Sequence, residues 1–88
     1  MNPYTDIECN DTFVIRVFDE NIDPIELKWH RDRETRVIES IGETDWLIQI
    51  ENSLPVTINT VRIEQGTWHR LIKGSKSLKL KIFKHEKV

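Results

Sequence analysis

Two histidines and an aspartate hold most of the chemistry open to this chain. Trp29-His30-Arg31-Asp32 sets an imidazole and a carboxylate two residues apart, and Trp68-His69-Arg70 repeats the first three residues later in the chain. Side chains alternate along a β-strand, so residues i and i+2 share one face and the residue between them takes the other. With both segments extended, His30 and Asp32 project to one side and His69 meets them from a second strand. Trp29 and Trp68 then turn outward. Two imidazoles and one carboxylate are an open-sided ligand set for Fe, Mn, Ni or Zn, with positions left for a substrate.

The segments that must position these residues read as short strands. Apolar and β-branched runs occupy 12–18, 26–30, 36–40, 46–51, 55–58, 61–63, 67–73 and 78–83. Leu78, Leu80 and Ile82 alternate with Lys79 and Lys81, and Trp46, Ile48 and Ile50 alternate with Leu47, Gln49 and Glu51. Both patterns are those of half-buried antiparallel strands. Turn formers separate the runs, among them Asn21 to Pro24, Gly42, Asn52-Ser53, Gly66 and Gly74. No segment has three turns of helical periodicity. The expectation is an all-β sandwich or jelly-roll barrel of short antiparallel strands.

The 88 residues allow one domain, with 1–20 as an N-terminal arm and strand and 26–83 as the barrel. No run of about 18 apolar residues is present, which excludes a transmembrane helix. The polar start MNPYTDIECNDT lacks the order of a secretion signal. A lone cysteine, Cys9, fits a reducing, cytoplasmic setting and reads as a tolerated thiol in the arm. Net charge of −2 argues against a general nucleic-acid binder. The acids concentrate in residues 1–26 and the lysines in residues 70–88. Glu34 reads as part of a solvated loop and His85 as part of an exposed basic tail.

The residues around both histidines resemble the two motifs of the cupin family. The second motif, glycine, five residues, Pro-x-Gly, two residues and His, is matched by Gly66 and His69 in Gly66-Thr67-Trp68-His69. Ile58 stands at its leading glycine and Glu64 at its proline. In the first motif, His-x-His, a glutamate and a later glycine, His30 and Gly42 match. Asp32 replaces the second histidine, and the glutamate position falls near Thr35 or Arg36. The resemblance implies a double-stranded β-helix with His30 and His69 facing each other inside, and a metal on His30, Asp32 and His69. Arg36, a cation where the family carries a ligand carboxylate, either swings outward or neutralises Asp32 and leaves a metal-free pocket. His30, Asp32, His69 and Lys79 also resemble, more weakly, the order of residues in 2-oxoglutarate oxygenases.

The wording of both motifs further resembles small cupin-like proteins of tailed bacteriophages. Two functions follow, with host cytoplasm or virion as the setting. One is a cupin domain that binds a small molecule, with or without a divalent metal. The other is a non-enzymatic phage structural or assembly protein acting through self-association. Paired outward tryptophans, Trp29 and Trp68, and an apolar N-terminal strand point to a homodimer with both in its interface.

Overall fold

The computed structural model describes residues 3–84. Its strands are β1 (Thr5–Cys9), β2 (Phe13–Phe18), β3 (Arg36–Ser40), β4 (Leu47–Ile50), β5 (Val56–Thr57), β6 (Thr60–Ile63), β7 (His69–Ile72) and β8 (Leu78–Lys84). They form a five-stranded sheet in the order β1-β2-β8-β3-β6 and a three-stranded sheet in the order β5-β4-β7. Every pairing is antiparallel. A jelly roll has eight strands in two Greek keys. Here the fourth member of the smaller sheet is reduced to a single bridge between His30 and His69, at the free edge of β7. The all-β jelly-roll expectation holds.

Alternation explains which residues fill the interior. On β8, Leu78, Leu80 and Ile82 are buried, while Lys79 and Lys81 point away. Val14 and Phe18 of β2, Ile38 of β3, Ile48 of β4 and Ile63 of β6 join them in one core. Trp46, just before β4, is fully buried and packs against Phe18 with ring centroids 5.7 Å apart. Its indole Nε1–H donates to the Lys76 carbonyl, so the polar end of this large side chain is satisfied. The other face of β2 looks outward, where Phe13 and Phe83 meet edge to face under the Lys81 ammonium.

Three expectations need correction. The N-terminal arm carries strand β1, paired with β2 and irregular in register between Asp6 and Glu8. All five of its residues are exposed, so no hydrophobic alternation marks it. Cys9 closes this strand and is not part of a loose arm. The expected strand at 26–30 is absent: Pro24–Glu26 form a 3-10 turn, and only His30 pairs. The Asp23 side chain accepts from the Ile25 N–H, and Pro24, which lacks an N–H, occupies the first turn. Lys79 lies on the outer face of β8, away from the histidines, so the oxygenase-like order does not become a site. His85 lies outside the described residues.

β2 finds its edge partner within the chain, pairing with β8 over six residues from Phe13↔Phe83 to Phe18↔Leu78. Trp46 ties this sheet to the β4 end of the barrel. Trp46→Ala should therefore lower the free energy of unfolding by about 3–5 kcal/mol, the cost of emptying a large aromatic site. Urea denaturation followed by near-ultraviolet circular dichroism measures it, and a loss below about 1 kcal/mol contradicts the packing described.

Candidate metal centre

The two Trp-His-Arg segments run antiparallel, with His30 opposite His69. Each histidine N–H donates to the other's carbonyl at 2.9 Å. The alternation expected of strands then holds locally. Both imidazoles fall on the inner face, with ring centroids 4.2 Å apart. On the outer face, Arg70 stacks over Trp29 at 4.9 Å and Arg31 over Trp68 at 5.2 Å. Each guanidinium covers a ring face, yet Trp29 and Trp68 remain 40% and 41% exposed.

Asp32 is brought in by a different contact. The chain leaves the bridge after His30, and the Gly66 N–H donates to the Asp32 carbonyl at 2.9 Å. Gly66 adopts φ of 78°, a left-handed conformation that glycine tolerates best. The Gln65 N–H also donates to Thr35 Oγ1 at 3.2 Å, so the turn before β7 clamps the loop carrying Asp32. His30, Asp32 and His69 each offer one ligand atom, all within 4.8 Å of one another. Two ligands about 2.1 Å from a shared ion lie at most about 4.2 Å apart, so binding needs only a small inward adjustment. His69 is buried, Asp32 half-buried and His30 exposed at the rim.

Main-chain oxygens orient both rings. His30 Nδ1 lies 3.1 Å from the Lys28 carbonyl, and His69 Nδ1 lies 2.8 Å from the Thr67 carbonyl. A carbonyl can only accept, so each Nδ1 carries the proton and each Nε2 is left facing the pocket. Such second contacts are those that orient metal-binding histidines. His69 Nε2 sits 3.4 Å from Asp32 Oδ2. A lone pair against a carboxylate is repulsive, and a cation between the two would relieve it. The donor set fits a divalent metal.

Arg36 takes the neutralising option. Its guanidinium lies 3.5 Å from Asp32 Oδ1 and 3.4 Å from Glu34 Oε1. Glu34 is therefore half-buried and paired, not a solvated loop residue. The Arg36 Nε–H is buried without an acceptor, at a cost of about 1–3 kcal/mol. The close contact with His69 does most to hold the Asp32 carboxyl below its ordinary value. The Arg36 charge and the two imidazoles act in the same sense, and burial opposes them.

His30, Asp32, Arg36 and His69 border a cavity of about 390 Å³ inside the barrel. Arg16 and Lys28 also border it, and neither was singled out from the sequence. Arg16 was detectable: it shares the inward parity of Val14 and Phe18, an unusual place for a charge. Its guanidinium is occupied by Asp6 at 2.7 Å and by the Tyr4 ring at 3.7 Å. The carbonyls of Lys28 and Thr67, being main chain, leave no mark in residue types.

No protein-family model and no curated protein matches the chain. Solved structures do match in fold. A cupin domain from Bordetella pertussis Tohama I superposes with a TM-score of 0.59 at 13% identity, over 96% of this chain and 92% of that one. KdgF from Halomonas sp. gives 0.63 at 10% identity, over 96% and 80%. Fe(II) HppE in complex with substrate gives 0.64 at 15% identity, over 93% of this chain and 52% of the other. The fold is thus that of the cupins.

The lowered Asp32 carboxyl has a testable sign. A carboxylate with a depressed folded-state value contributes stability above its unfolded value and loses it as pH falls through the folded one. The advantage of wild type over Asp32→Asn should be complete above the ordinary value of 3.8 and be lost progressively below it, as pH falls through the lower folded value. Thermal melts of both proteins between pH 2 and pH 7 measure this. An advantage that grows on acidification contradicts the assignment.

Proposed function

We propose that this chain is a small-molecule-binding cupin domain whose pocket holds a divalent transition metal on His30, Asp32 and His69. The observation that carries this reading is the confrontation of Asp32 with imidazole Nε2 atoms whose Nδ1–H groups are already committed to carbonyls. Two histidines and a carboxylate with open positions favour Fe(II), with Mn, Ni and Zn as competitors. Fe(II) HppE, which shares the fold, is an iron-containing example. A bound metal would supply Lewis-acid polarisation of a ligand oxygen. The protein's own part is to hold three donors on a cavity that also has an aliphatic wall, and to set Arg36 beside them. No reaction is assigned. No helix among the described residues is long and apolar enough to cross a membrane, and Cys9 is a free, exposed thiol. A cytoplasmic setting is part of the same reading.

Calorimetric titration of chelator-treated, tag-free protein with Fe(II), Mn(II), Ni(II) and Zn(II) tests the metal. One equivalent should bind wild type, and His69→Ala should abolish binding with the β-sheet spectrum unchanged. Uptake that is equal in the two proteins rules out this site.

A second reading is favoured by the outer surface. Trp29 and Trp68 border a shallow groove with Leu54, which is 84% exposed at the turn between β4 and β5. Large exposed side chains gathered in one place fit self-association, in line with an assembly protein of the phage type. On this reading the protein is a homodimer through Trp29 and Trp68. Light scattering at micromolar concentration should give twice the chain mass, and Trp29→Ser with Trp68→Ser should give the monomer. A monodisperse wild-type monomer ends this reading.

A further inference from the structure

We infer that the barrel cavity takes a small organic carboxylate, its charged end on Arg36 and its hydrocarbon part against the aliphatic wall. The inference deepens the proposal that the cavity is a ligand site, but it does not require the metal.

Arg36 has donors to spare. A guanidinium offers five N–H groups in a planar fork. Its two carboxylate contacts, to Asp32 and Glu34, are 3.5 Å and 3.4 Å. Both exceed the roughly 2.7–2.9 Å of a formed charge-assisted hydrogen bond. Its Nε–H is buried and has no acceptor at all. Asp32 is meanwhile drawn towards the imidazoles, 3.4 Å from His69 Nε2. Whichever cation settles between Asp32 and the histidines takes up that carboxylate's charge and leaves Arg36 with Glu34, at 3.4 Å, as its carboxylate partner and with N–H groups still open. Arg16, the other arginine on the cavity, is committed to Asp6.

The remaining wall decides what accompanies the anion. Ile38, Ile48, Ile63, Leu71, Leu80 and Ile82 border the same cavity and offer no hydrogen bonds. A ligand rich in hydroxyls would leave them unpaired against hydrocarbon. Glu26 and Lys28, of opposite charge, also border the cavity, and the planar fork of Arg36 together with the aliphatic wall matches a carboxylic acid with a short apolar body. The fork geometry also explains why arginine and not lysine serves here, since two parallel N–H bonds meet the two carboxylate oxygens.

Hexanoate and hexan-1-ol, alike in chain length and differing in charge, provide the test. Each is titrated into chelator-treated protein and into Ni(II)-treated protein, with binding read from amide and arginine Nε–H cross-peaks. Hexanoate should bind at least roughly tenfold tighter than hexanol, as a charged hydrogen-bonding contact requires. The Arg36 Nε–H peak should move on binding. Arg36→Gln should erase the preference, and Arg36→Lys should restore only part of it. Equal affinity for acid and alcohol overturns the inference, as does binding of neither probe to wild type. A preference that survives in folded Arg36→Gln overturns it as well, and the wild-type comparison decides by itself if that variant does not fold. Acid selectivity without metal uptake removes only the metal reading, and metal uptake without acid selectivity removes only this inference.

Discussion

The site depends on one pair of main-chain hydrogen bonds, those exchanged between His30 and His69. They stand in for a whole strand of the smaller sheet. Without them nothing fixes the parity of the segment before β3, and His30 has no reason to face His69. With them, one contact point orients two imidazoles inward and two tryptophans outward. The Gly66 bond to the Asp32 carbonyl is the second fastening, and it comes from the turn that leads into β7. Both fastenings therefore converge on the same short stretch, from Gly66 to His69. The motif glycine and the motif histidine act together: one places the carboxylate and the other supplies a donor.

Most of the barrel was legible because half-buried strands advertise themselves. Leu78, Leu80 and Ile82 alternate with lysines, and Arg36–Ser40 ends at the Gly42 turn. The failures have physical causes. β1 buries no side chain, so the period-two signal that marks a strand is missing. The segment around Pro24 has strand-like residues, but a capped turn competes locally and wins, leaving one bridging residue. At the site, His30, Asp32 and His69 were legible from parity and spacing. What holds them was not: the partners of both Nδ1 atoms are carbonyl oxygens, which every residue possesses. Glu34 looked solvated because charge alternation is ambiguous until a neighbour such as Arg36 turns inward.

Arg36 changes the electrostatics of the pocket in a way that substitution of one ligand type for another does not. A carboxylate here would have added a donor and cancelled positive charge. A guanidinium adds positive charge 3.5 Å from Asp32 Oδ1, the partner of the oxygen that faces His69. A metal held there would share one carboxylate with Arg36, so its binding and the position of Arg36 would be coupled through Asp32. Glu34 moderates the competition by offering Arg36 an alternative partner at 3.4 Å.

The antiparallel pairing of two identical tripeptides has a geometric consequence. A local two-fold axis runs between the imidazoles and exchanges His30 with His69, Trp29 with Trp68 and Arg31 with Arg70. The equivalence ends one residue later, where Asp32 on one side corresponds to Leu71 on the other. Both of these border the cavity. Left to itself, the repeat would build a pocket with two interchangeable ends. The mismatch of aspartate against leucine gives it a polar pole and an apolar pole, so that a guest lacking symmetry of its own has one favoured orientation.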